Sequence, residues 1–591
     1  MKQIFYGGCL TLCTTLLLTG CVDNGYDLSN IDTTSELKVV DLQLPVNLDA
    51  ITLDDIITID EDSKIKIRDV DGKPAYVVTE QGEFNSDKIT INEFSAEAPV
   101  INPSRLIFGP PAASSSKRKA NGPSVTFGLN SFEDRDINIS AANIDESIVE
   151  ISNIFMDRKP LTLSISLICE ANMGTSVTME VTNLKFKLFK GLQLASLPQG
   201  YSYDPSTGEL NIAKLECPGN NALIELNVNG IDCKAAGIGI ANHAIDYNTT
   251  LTVTDANLTI TATGSELPSG LTSMSFGVYT TVSELTASAF SGKLKYMLKE
   301  DGSDGIHIDP IELTDIPDFL SQEGTDLRLA NPQLYISITN PVYEQKLFFT
   351  SGFSLRSYHG DNFQTYNLDN NKRIEITTDQ NEGPYNFLLS PKPADNIPAY
   401  SKNLEHVPFS SLSNVLSGNG IPQKIEVELL SPEMPTQTVT KFPLGVEYNG
   451  VKGTYDFFAP LALKTDDNTV IVYGDTEDGW GSEDLDKLTI TRLVVNANLT
   501  STMPIGAELT ASPIDREGHV MPNVTIHPVQ VQPHADNQPI TIETTGEIRD
   551  LDGIRFQATV RPGSETALSP DMTLTLKDLK ATVSGSYITD F

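Results

Sequence analysis

The sequence predicts an all-β chain of tandem Ig-like, Greek-key β-sandwich domains with few short helices. Three observations carry this. Apolar and polar residues alternate with period two, turn dipeptides punctuate the alternation, and helical periodicity is scarce. Over residues 161–167 the odd positions are Leu161, Leu163, Ile165 and Leu167, and the even ones are Thr or Ser. One face of such a strand packs and the other meets water. Similar runs occupy 223–228, 334–338, 425–429 and 556–560. Residues 470–473, Val-Ile-Val-Tyr, are apolar throughout, which predicts a short strand covered on both faces. Asp71-Gly72, Thr207-Gly208, Asn449-Gly450 and Asp552-Gly553 supply turns. The best helical stripe is Phe409, Leu412 and Leu416, after Pro408 and before Gly418, which predicts one short helix over 409–417.

A second pattern, apolar-x-apolar-x-x-apolar-x-apolar, appears six times: from Ile89, Met179, Leu251, Ile306, Val524 and Leu574. The two-residue polar step flips the inward face in mid-strand. A β-bulge does this, and so does a strand that leaves one sheet for another.

At 591 residues the chain is long enough for about four domains. The stretch 109–123, with Pro110, Pro111, Ser114–116 and a basic tip Lys117-Arg118-Lys119, reads as an exposed linker. The expected layout is an N-terminal β module at 37–108, a linker at 109–124, and sandwiches at 125–265, 266–450 and 451–591. Lys117, Arg118 and Lys119 are candidate processing positions.

Forty-one basic residues stand against 78 acidic ones, a net charge of −37. Such a surface repels phosphate backbones, so nucleic acid is not an expected partner. No Walker loop, nucleophile elbow, dinucleotide fingerprint or His-Glu-x-x-His is present, so no enzyme chemistry and no cofactor are expected. His519, His527 and His534 share one stretch but sit in turn-like sequence. The acidic segment 475–486 contains the chain's one tryptophan, Trp480. It reads as a hairpin loop; a calcium loop using Asp475, Glu477, Asp478 and Glu483 is the alternative. Cys169, Cys217 and Cys233 read as small buried hydrophobes, and a Cys217–Cys233 bridge is left open.

The N-terminus carries an address. Lys2 precedes a mostly apolar run over 4–19, too short to span a bilayer, which ends in Leu18-Thr19-Gly20-Cys21. This resembles the lipobox of bacterial lipoproteins, in which residues 1–20 are a signal peptide and Cys21 becomes the acylated N-terminus, tethered through 21–36. Val22, in place of the Asp that retains lipoproteins in the inner membrane, implies the outer membrane. With Asp23, Asp27 and the Thr/Asn-rich strands, the chain resembles Bacteroides-type surface lipoproteins built of tandem β-sandwiches, with a weaker likeness to fimbrillin-like lipoproteins. The resemblance implies a cell-surface, membrane-anchored, non-enzymatic binding or adhesion protein with a protein or glycan ligand. Its alternatives are a fimbrial-type subunit processed near Arg118 and a glycan-binding component of a polysaccharide-utilisation system. It also implies an O-linked glycan on Thr33, in Asp32-Thr33-Thr34.

Metabolic labelling with a fatty acid is predicted to mark the parent chain and not Cys21→Ala. Label on the Cys21→Ala chain would show that the anchor lies elsewhere.

Overall fold

The structure is a computed structural model. It describes residues 34–590 apart from short internal segments, the longest being 112–117, 300–305, 395–403 and 480–486. Strands make up 62% and helices 5%, so the chain is all-β as the alternation predicts.

The centre is a curled antiparallel sheet. Its strands run in the order Asn221–Asp232, Leu161–Cys169, Met274–Val282, Ser104–Pro111, Gly122–Phe132, Ile245–Ala262, Val177–Lys187, Glu209–Glu216. Alternation decides which side each residue faces. In Leu161–Cys169 every odd position is buried, and Leu163, Ile165 and Leu167 are 1% exposed or less. Facing strands contribute Phe108, Phe127, Phe186, Leu226, Leu258 and Phe276, all buried. Each fully buried side chain of this size contributes about 1.5–3 kcal/mol relative to exposure. One continuous core runs from Leu53 to Leu568. A small second one, Leu499, Val531 and Ala535, lies in the C-terminal region.

All six repeats of the face-flipping pattern become bulges or sheet changes. The register shifts after Thr182, where Asn183 takes φ 53°, and Asp255 stands opposite the same irregularity. Further shifts fall between Ile308 and Ile311 and beside Asp578, at φ 53°. The other two split into separate strands. Residues 89–90 pair with 447–448 while 94–96 pair with 285–287, and 525–526 join one C-terminal sheet while 529–531 join another. The Asp71-Gly72 turn closes a hairpin, with φ 53° and 80°.

Several expectations are corrected. The strand pairings run across the expected domain boundaries. Thr34–Pro45 pairs with Thr573–Asp590, and Lys73–Asn85 pairs with Lys452–Pro460. The 37–108 segment is therefore laced into the C-terminal half and is not a module of its own. The described ends of the expected linker are strand: Pro111 pairs with Phe127, and Arg118 and Lys119 pair with Pro123 and Gly122. Lys117 lies outside the described residues. The helix at 409–417 shrinks to a single 3-10 turn, Ser410–Asn414, although Phe409, Leu412 and Leu416 are buried as predicted. The 470–473 strand is not covered on both faces: Ile471 is buried, while Val472 and Tyr473 are half-buried.

Trypsin cutting within 117–119 is therefore predicted to leave two pieces that co-elute on gel filtration and part only in denaturant. An N-terminal piece eluting alone from the native digest would contradict these ladders.

Candidate functional site

Few of the sequence-predicted site residues come together. Cys21, Thr33, Trp480 and Glu483 lie outside the described residues. Asp475 and Glu477 belong to the strand Ile471–Glu477, opposite Phe556 and Ile554, and only Asp478 follows it. The described part of the acidic segment is thus strand up to Glu477 and leaves the strand at Asp478 and Gly479. The three cysteines are buried free thiols and the Cys217–Cys233 bridge is not formed.

Two constellations were not anticipated. Asp515, Glu517 and His519 bring their ligand atoms within 4.8 Å of one another. The Asp515 carboxylate there accepts the backbone N–H groups of Glu517 and His519 at 3.0 and 2.9 Å, which makes the group an exposed turn. On the face of the 349–359 and 362–367 strands, Tyr358 and Phe363 stand 5.2 Å apart. Arg356 lies 5.5 Å from the Phe363 centroid and Lys424 lies 4.5 Å from that of Tyr358. Arg356 pairs with Glu428 and Lys424 with Glu426, both at 2.7 Å, and the Tyr358 hydroxyl donates to Glu426. Partial burial pushes the Glu426 carboxyl up, but those hydrogen bonds outweigh it and hold it below its ordinary value. Each ring carries a cation and each charge an ion-pair partner, while the buried Arg356 Nε has no hydrogen-bond partner among the described residues.

The outer face of the central sheet is different. Three large apolar side chains stand in solvent there: Leu223 at 60% exposure, Tyr279 at 47% and Ile168 at 40%. Ser166 is directly opposite both Leu223 and Tyr279, so Leu223–Ser166–Tyr279 forms a row across three strands. Ile168 is opposite Gly277 in the next row, and Gly277 is opposite Arg105, whose Nε donates to Glu170 at 3.0 Å. The Tyr279 ring lies back over Gly277: a Cβ on Gly277 would meet its Cε2 at 3.1 Å. A missing side chain thus seats an aromatic ring on the sheet. Among the described residues the Tyr279 hydroxyl has no hydrogen-bond partner. The surrounding outward positions are Ser164, Asn221, Asn227 and Thr281, with Glu225 beside Ser164. The sequence did carry a signal for this stripe. Leu223 and Ile168 are apolar at the polar phase of their strands, inside Ala222-Leu223-Ile224 and Leu167-Ile168-Cys169.

Inside the sandwich, an apolar cavity of about 10 Å³ lined by Ile139, Leu163, Phe189 and Tyr247 has room for at most one water. No family model and no curated protein matches the chain. Among solved structures, a protein of Parabacteroides distasonis inferred to be secreted is similar over 50% of this chain and 89% of its own, at 16% identity and TM-score 0.34. PNGF-II is matched over 82% of this chain and 99% of its own, at 8% identity and TM-score 0.10. At these TM-scores neither likeness carries an argument about fold or function.

Burial pushes all three thiols up, Cys217 and Cys233 to about 12. A folded chain at pH 8 is predicted to leave Cys169, Cys217 and Cys233 unreactive to a chromogenic disulfide reagent, and an unfolded one to expose all three. Unfolded thiols ionise near ~8.5. The contribution to stability is therefore full below that pH and falls as pH rises toward the folded values. Rapid labelling of the native chain would contradict the burial.

Proposed function

We propose that the chain is a non-enzymatic binding or adhesion protein, anchored through an acylated Cys21 to the outer membrane and facing outward. The observation that carries the binding reading is the row Leu223–Ser166–Tyr279, with two large apolar side chains exposed on the outer face of the central sheet in a chain with net charge −37. Leu223 and Tyr279, with Ile168 in the next row, group large apolar side chains on one solvent-facing area, and grouped exposed apolar side chains mark interaction sites. The anchor reading is supported by Leu18–Cys21 and by the short apolar run before it. Among the described residues no helix is long and apolar enough to cross a membrane. The segment between Cys21 and Thr34 reaches roughly 45 Å at full extension, enough to hold the sandwiches clear of a lipid surface.

The fimbrial alternative requires cleavage near Arg118 to free the larger piece. The 34–45 and 73–85 strands are hydrogen-bonded to 573–590 and 452–460, so cleavage alone does not free it.

Protease added to intact cells is predicted to digest the chain while a periplasmic marker survives. A chain that resists until the cells are lysed would contradict the outward-facing anchor.

A further inference from the structure

We infer that the row Leu223–Ser166–Tyr279 binds a neutral saccharide chain laid across the strands; this rests on the binding-protein reading above and names its ligand class. The ring of Tyr279 is the anchor. It is seated over Gly277, it is 47% exposed, and no cation among the described residues covers it, unlike Phe363 under Arg356. A pyranose ring offers an apolar C–H face on one side and hydroxyls at its rim. An open aromatic face takes the first, and the tyrosine hydroxyl with Ser164, Ser166 and Thr281 takes the second.

Charge and size exclude other occupants. The row itself is uncharged, Arg105 and Glu170 beside it neutralise each other, and the whole chain is acidic. A polyanion would be repelled, and Glu225, in the next row opposite Ser164, is a single carboxylate at the edge of the row rather than a cation site within it. The three apolar side chains leave on the order of 300 Å² of surface uncovered, against ~800 Å² on each partner of a standard protein interface. The stripe is too small to hold a folded protein by itself. Adjacent strands lie ~4.8 Å apart, so Leu223 and Tyr279, two strands apart, are separated by roughly 10 Å. That suits about two sugar units, one on the tyrosine ring and one against Leu223.

Affinity electrophoresis of the full chain tests this, in native gels containing starch, mixed-linkage β-glucan, xylan or galactomannan. At least one of these is expected to retard the parent chain. Tyr279→Ala should weaken the apparent affinity about tenfold, the loss of one aromatic contact. Leu223→Asp, at a 60% exposed position, should weaken it similarly without disturbing the fold. Gly277→Ala keeps the ring but denies its seat, and should fall between parent and Tyr279→Ala. Phe363→Ala should bind as the parent does. If Tyr279→Ala does not fold, Leu223→Asp decides. Absence of retardation by all four polysaccharides, or equal retardation of parent and Leu223→Asp, overturns the inference. If cells bearing the parent chain still attach to a surface in a Tyr279-dependent way, the ligand class falls and the binding reading stands. If attachment is absent too, both fall.

Discussion

A β-strand has one inward phase, and the rest of this molecule depends on how the chain keeps or resets it. Side chains alternate with period two, so a slip of one residue would turn a whole strand inside out. The long strands of this fold cannot keep one phase from end to end, because they pass from one layer to another. Ile245–Ala262 pairs first with 135–141 and then with 177–187. At such points the chain inserts an extra polar residue, held at positive φ at Asn183 and Asp578. Asn and Asp bear the left-handed conformation better than other side chains, since they hydrogen-bond their own backbone.

This constraint also explains how much was legible. Strand identity, the inward faces and the bulges follow from local alternation, and Leu161–Cys169 or the step after Thr182 can be located by residue. The domain layout could not be read in the same way. Whether Thr34–Pro45 pairs with a neighbour or with Thr573–Asp590 depends on register between distant segments, and alternation carries no information about the partner. The proline-rich stretch at 109–123 was read as a domain linker, but its composition does not reveal that Pro111, Arg118 and Lys119 join a ladder with 122–127. The strand at the start of the acidic segment was hidden for a related reason: Asp475 and Glu477 tolerate a strand because its backbone pairs with 554–556, whatever their charge.

The candidate site lies where the phase rule is broken. Outward positions of the Leu161–Cys169 strand and its two neighbours are Ser, Thr, Asn, Gly or Glu, and Leu223, Ile168 and Tyr279 are the large apolar exceptions. An apolar side chain at a solvated position adds nothing to the core, and next to Gly277 it exposes a ring that an ordinary neighbour would lift. The ladder between the two ends of the chain has a comparable logic. It ties the first described strand, Thr34–Pro45, to the last, Thr573–Asp590. That edge strand is itself guarded by a bulge between Val39 and Leu42, which blunts pairing with another chain.

Oxidative footprinting of the full chain, with and without the polysaccharide that retards it most, tests the central claim most directly. The account predicts that Tyr279 is protected when the polysaccharide is present while Phe363 is oxidised equally in both samples. Equal oxidation of Tyr279 with and without the polysaccharide, or protection confined to Phe363, would contradict it.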